Sequence, residues 1–197
     1  SPKNAARIEG ELALVDNALA KVGVEKPVSF AWCGNRFGPE ALEKLHKLGI
    51  RFARRGLSPE LDNRALEPGP AYDPSRHDPL LIPTTGNAIP DWSLELFRRV
   101  LDRANEGIVV LQFHGVPDVA HDWVHTPPES FRQYMEELRR QGFRVLALRD
   151  LEEFLSLEAV DDPNVDLRNS SGGPAELEQS AELVSTRAEL NAWTEVM

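Results

Sequence analysis

Apolar residues recur at helical spacing at the start of the chain: Ile8, Leu12, Val15, Leu19 and Val22, with acidic residues between them. Positions three and four apart share one face of a helix, so this segment predicts an amphipathic helix. Gly23 and the nearby Pro27 supply its stop. Val28 to Trp32 then reads as a short strand. Gly34 and Gly38 mark a turn, and Pro39 suits the first position of a second helix. Ala41, Leu42, Leu45 and Leu48 give that helix its apolar face, Gly49 ends it, and Ile50 to Ala53 reads as the next strand. Helix and strand alternate through short links, which is the signature of parallel strands joined by crossover helices.

The rhythm breaks between Arg54 and Pro90, where Pro, Gly, Asp and Asn accumulate. A segment this long without a periodic pattern is uncommon unless it is functional or disordered. Leu80-Leu81-Ile82-Pro83 is its one candidate for a short strand. Order then returns. Asp91 predicts a helix cap, followed by a stripe of Leu94, Phe97, Val100, Leu101 and Ala104 that Gly107 ends. Ile108 to Phe113 is the strongest strand pattern, and His114 to Thr126 reads as a loop. Thr126 predicts the cap of a helix bearing Phe131, Met135 and Leu138, which Gly142 stops. Phe143 to Leu148 predicts a final strand, with Asp150 capping a short helix through Leu157. The composition divides the chain into an α/β portion over 1–157, a linker over 158–174 and a helical tail over 175–197.

Composition narrows the function classes. The 197 residues suffice for one domain with a hydrophobic core. A formal net charge of −10 disfavours nucleic acid and anionic membrane surfaces, whose binders concentrate Lys and Arg. No apolar run approaches the roughly 18 residues of a membrane-spanning helix, so the expectation is a soluble protein. Cys33 is the only cysteine, which rules out an internal disulfide and leaves the compartment open while favouring the cytoplasm.

Ligands of parallel α/β folds gather at the C-terminal ends of the strands. That points to Trp32 to Phe37, Arg54 to Ser58 and His114 to His125. His114 directly follows the best strand, where an imidazole can face a cleft and exchange protons near neutral pH. The loop after it holds Asp118, His121, Asp122 and His125. His121 and His125 would share a face on a helix, but Pro117, Pro127 and Pro128 argue for a loop ordered by its own hydrogen bonds. Arg54 and Arg55 suit a carboxylate or a sugar hydroxyl, and equally a structural ion pair. Trp32 suits stacking on a sugar or a place in the core, and Asn35 suits a sugar hydroxyl. No phosphate-binding glycine motif occurs.

From Ala5 to Phe154 the order of motifs resembles the C-terminal part of the polysaccharide deacetylase family (the NodB-homology, carbohydrate esterase family 4 domain). Pro27-Val28-Ser29-Phe30-Ala31-Trp32-Cys33-Gly34-Asn35 resembles its strand and aromatic-glycine loop. Gly49-Ile50-Arg51-Phe52-Ala53-Arg54-Arg55-Gly56 resembles the next strand end. Val109-Val110-Leu111-Gln112-Phe113-His114 resembles the late leucine–histidine motif, and Ala147-Leu148-Arg149-Asp150-Leu151 the close of the barrel. The resemblance implies an irregular (β/α) barrel of the glycoside hydrolase/deacetylase type. It implies metal-dependent hydrolysis of acetyl groups on a polysaccharide, with His114 as catalytic acid. It also implies a carbohydrate substrate met by Trp32, Asn35, Arg54, Arg55, Asp118 and His121. The family's divalent metal, commonly zinc, rests on an Asp pair after an early strand and a His pair before the first helix; here the one Asp pair, Asp161-Asp162, lies in the linker and no His pair precedes the first helix. Phe30 or Ala31 stands where the family has an arginine. The expectation is therefore a C-terminal portion that binds no metal alone and self-associates through exposed strand edges. The alternative expectation is a carbohydrate-binding relative without catalysis, with Trp32 and Trp123 as stacking platforms. A third is a protein-interaction module acting through the acidic tail.

Overall fold

A computed structural model describes residues 2–155, with side chains from Arg7 onward. The expected linker and tail helix lie outside the described residues. The first helix, α1 (Pro2–Lys21), leads to strand β1 (Ser29–Ala31) and a 3-10 turn at Cys33–Asn35. Helix α2 (Pro39–Lys47) carries the chain to β2 (Phe52–Arg54), which pairs with β1 in parallel. Strand β3 (Gly86–Ala88), helix α3 (Leu94–Leu101), strand β4 (Leu111–Phe113) and helix α4 (Pro128–Arg140) follow. β3 and β4 are again parallel. The two pairs meet where Ile82 bridges Arg54 in parallel, with Ile82 N donating to Ala53 O and Arg55 N to Ile82 O, both at 2.9 Å. The described strands therefore form two two-stranded parallel sheets, linked along an open arc by the Ile82 bridge, and do not close into a barrel.

Each face of the arc has its own packing, as the two-residue period of a strand requires. Phe30 and Ala53, partners in the β1–β2 register, join Ile8 and Leu12 of α1 and Leu42 and Leu45 of α2. Ala88, Leu111 and Phe113 join the side chains of α3 and α4, where Phe97 stacks on Tyr134 at 4.4 Å. The opposite face holds Phe52, Ile82 and Val110, packed with Tyr72 and Leu151. Stepping by two along the same strands leads to Arg54, Thr84, Gln112 and His114. An apolar floor thus gives way to polar residues at the C-terminal ends of the strands.

The long Arg54–Pro90 segment is not a free loop. Every residue from Leu80 to Ile89 is buried, and the strand in it is Gly86–Ala88 rather than Leu80–Pro83. Thr85 N and Gly86 N both donate to Val110 O, at 2.8 and 3.1 Å, so two residues face one in the manner of a bulge. Thr85 Oγ1 completes the ladder: it accepts from Val110 N at 2.9 Å and donates to Pro70 O at 3.0 Å. Gly86 has no room for a side chain, because a Cβ there would stand 2.4 Å from Trp92 Cη2. We expect Thr85→Val, nearly identical in shape, to cost about 1–3 kcal/mol through the buried donor and acceptor it strands. Urea unfolding measures this; an unchanged midpoint would show that the hydroxyl is dispensable.

Three sequence expectations are corrected. The cap of α3 is Ser93, whose Oγ accepts from Leu96 N at 3.0 Å, and Asp91 sits in an exposed turn. Thr126 does not cap α4; it is fully buried and its Oγ1 donates to Ala88 O at 3.3 Å. Phe143–Leu148 forms no strand and no strand pairing among the described residues; Val145 is 70 % exposed and Leu148 opens a 3-10 turn at Leu148–Glu153. No helix of the described residues is long and apolar enough to cross a membrane.

Candidate functional site

The ends of β2, the β3 approach and β4 converge on a chain of polar side chains. Arg54 Nη1 donates to Gln112 Oε1 and lies 3.3 Å from Thr84 Oγ1. The Thr84 hydroxyl donates to Arg55 O at 2.7 Å, and its oxygen stands 3.2 Å from Gln112 Oε1. Gln112 Nε2 lies 2.8 Å from His114 Nε2.

Donor and acceptor bookkeeping settles the roles. A guanidinium can only donate, so the end of Gln112 that meets Arg54 is its carbonyl. The other end is then the NH2 group, which donates to His114 Nε2. That ring nitrogen must be an acceptor, so the proton of neutral His114 sits on Nδ1. Protonating Nε2 as well would set two donors against each other. Electrostatics act in the same direction. Partial dehydration of the ring and then the Arg54 charge hold His114 below the ordinary imidazole range, and His121 adds to this while Asp118 opposes it. Burial also lowers the Arg54 guanidinium from its usual value, and Cys33 opposes that shift.

The sign for stability follows. An unfolded histidine takes up a proton near its ordinary value, whereas folded His114 does so only at lower pH. Between the two the unfolded state binds more protons, so stability falls as the pH falls through that window. Above it His114 contributes no pH dependence. We expect Arg54→Gln to raise the midpoint of the His114 ring titration towards the ordinary value. NMR of the ring Cε1–H reads it directly, and an unmoved midpoint would remove Arg54 from the site's electrostatics.

Not every expected site residue reaches this cluster. Trp32 is 5 % exposed, packs against Phe30 and Phe37, and donates Nε1–H to Leu80 O at 2.8 Å. It is a core residue with no open face. Asn35 clamps backbone: its Oδ1 accepts from Gly56 N at 2.7 Å and its Nδ2 donates to Ser58 O at 3.3 Å. Arg55 is 0 % exposed and grips Glu60 with both terminal nitrogens, at 2.7 and 2.6 Å, while also donating to Ser58 O and Leu81 O. Arg54 and Arg55 are adjacent and point to opposite faces, so only Arg54 serves the cluster.

Asp118 and His121 lie in the loop after His114 and pair with each other, Nδ1 to Oδ2 at 3.0 Å. His121 and His125 do not share a helix, because the stretch forms turns. Among the described residues no three His, Cys, Asp or Glu side chains converge to hold a metal ion. The divalent metal implied by the resemblance therefore finds no ligand set in them.

No family model, no curated protein and no solved structure matches the chain.

Sequence patterns passed over three members of the neighbourhood. Gln112 is a polar residue two positions before His114 in an otherwise apolar strand, a signal available from alternation alone. Thr84 and Asn87 lie in the Pro- and Gly-rich segment, where no periodicity marks them. Asn87 is the register partner of Gln112; its Nδ2 donates to Asn63 O at 2.9 Å, and its buried Oδ1 has no hydrogen-bond partner.

Proposed function

We propose that the chain bears the proton-donating, substrate-orienting side of a hydrolytic site that removes acetyl groups from a polysaccharide, and that its parallel strands are an arc of a deacetylase-type (β/α) barrel. The observation that carries this is the Arg54–Gln112–His114 chain at the C-terminal strand ends, which keeps His114 neutral with Nδ1–H available. Cleaving an acetyl group from nitrogen or oxygen needs a proton on the leaving atom as its bond to the acyl carbon breaks. A neutral imidazole N–H polarises an acyl oxygen or the leaving atom without carrying net charge, and the ring transfers a proton to the leaving atom once it has taken one up from the attacking water, returning to its neutral form. Arg54 adds positive charge beside the place where negative charge develops. The resemblance of the motif order to that of polysaccharide deacetylases supports the substrate class, and the acidic chain fits an uncharged polymer better than a polyanion.

The test is acetate release from acetylated oligosaccharides by the protein as its gene encodes it. Release that depends on His114 supports the proposal. No release, or release that His114→Ala leaves intact, counts against it.

A further inference from the structure

The loop from β4 to α4 places a second set of side chains beside His114. Its base is closed by Thr126 N donating to Gly115 O at 2.9 Å. Gly115 lies so close to Asp118 that a Cβ on it would stand 2.7 Å from Asp118 Cβ. Asp118 Oδ1 accepts from the N–H groups of Ala120 and His121, each at 3.0 Å. Both carboxylate oxygens also face His121 Nδ1, at 3.1 and 3.0 Å. An ionised carboxylate can only accept, so Nδ1 carries a ring proton, and the neutral form of the ring presents Nε2 as an acceptor. Asp118 is held in the ionised form: partial dehydration raises its carboxyl, but the His121 ring and the two backbone N–H groups outweigh this and lower it.

Trp123 stands against this imidazole, ring centroids 5.3 Å apart and planes nearly perpendicular at 86°. It is 55 % exposed, whereas the other described tryptophans, Trp32 and Trp92, are buried. A flat apolar surface left in water beside one oriented acceptor has the complementarity of a pyranose, which offers an apolar C–H face and hydroxyl donors around its rim. A peptide in extended form would instead seek an unpaired strand edge, which this loop does not offer.

We propose that Asp118, His121 and Trp123 form a sugar-binding subsite adjoining His114, with the Trp123 indole under a pyranose ring and His121 Nε2 accepting one of its hydroxyls. Asp118 is a positioning residue, acting through His121. The subsite rests on the deacetylase reading only for the neighbouring acetylated unit; recognition of the sugar ring itself needs no acetyl group.

The test titrates the protein with cellotetraose and with N-acetylated chitotetraose, followed by amide and indole chemical shifts. We expect both tetraoses to bind, and Trp123→Ala to weaken both about tenfold. Trp123→Phe, which keeps an aromatic face, should retain most of the affinity, and His121→Gln should weaken binding by a smaller factor. The dispersion of the amide spectrum shows in the same experiment that each variant is folded. Absence of shifts with both tetraoses, or equal affinity in the wild type and Trp123→Ala, overturns the subsite. Cellotetraose binding that depends on Trp123, in a protein that releases no acetate, leaves the subsite standing and removes the deacetylase reading.

Discussion

Under the proposed deacetylase function, His114→Ala is expected to lower kcat for acetate release by about 10²–10⁴-fold, the range for loss of a positioned acid or base. KM should change little, because the proton is needed as the bond breaks and not when the substrate arrives. The geometry adds a second expectation. Gln112 touches no reacting atom in this scheme, yet it fixes which nitrogen of His114 carries the proton. Gln112→Leu should therefore reduce kcat less than His114→Ala and move the acid limb of the pH–rate profile, since the ring is then free to protonate at Nε2. A simple structural role for Gln112 would lower the yield or stability of the protein without shifting that limb. Equal kcat values for wild type and His114→Ala would dismiss His114 as the donor.

Glu60→Ala is expected to destabilise the fold by about 3–5 kcal/mol, the cost of leaving a buried cation without its partner. Arg55 is 0 % exposed, and its two terminal nitrogens meet the two oxygens of Glu60 at 2.6 and 2.7 Å. The remaining acceptors, the Gly56, Ser58 and Leu81 carbonyls, are dipoles and cannot neutralise the charge. The double change Arg55→Met with Glu60→Leu should be far less harmful than Glu60→Ala alone, because it removes both charges together. Chemical denaturation of the three proteins checks this. A shift under about 1 kcal/mol for Glu60→Ala would mean that water reaches Arg55.

The helices and the parallel order of the strands were legible because each carries its own period. Ile8 and Leu12, or Phe97 and Val100, are spaced by helix geometry whatever surrounds them, and they do pack inward. The third strand was hidden for a physical reason. Its pairing is made by Thr85, Gly86 and Asn87, through a bulge and a hydroxyl, so no alternation of apolar residues records it. The final strand failed in the opposite sense. Phe143–Leu148 has strand-forming residues, but pairing needs a neighbour, and the described residues supply none. His114 and Arg54, expected at strand ends, do lie there and join one hydrogen-bonded chain through Gln112. Trp32 and Arg55 have the right chemistry for a ligand and face the wrong way, and side-chain direction one residue past a three-residue strand is decided by tertiary packing. Ser93 displaced Asp91 as a cap by two residues, within the usual uncertainty of a helix boundary.

The closure between Gly115 and Thr126 separates two kinds of change that sequence variation can make. Thr126 is tied at once to the end of β4 through Gly115 O and to the end of β3 through Ala88 O. The strands and the start of α4 are therefore held at the base of the loop and not along it. Lengthening the loop near Val119, which is 93 % exposed, meets only the slow logarithmic growth of closure entropy, about 0.6 kcal/mol for each doubling. The scaffold that orients His114 can stay fixed while the segment carrying His121 and Trp123 is exchanged. Divergence among copies of this gene would then fall first on the segment carrying His121 and Trp123 and last on the residues around His114.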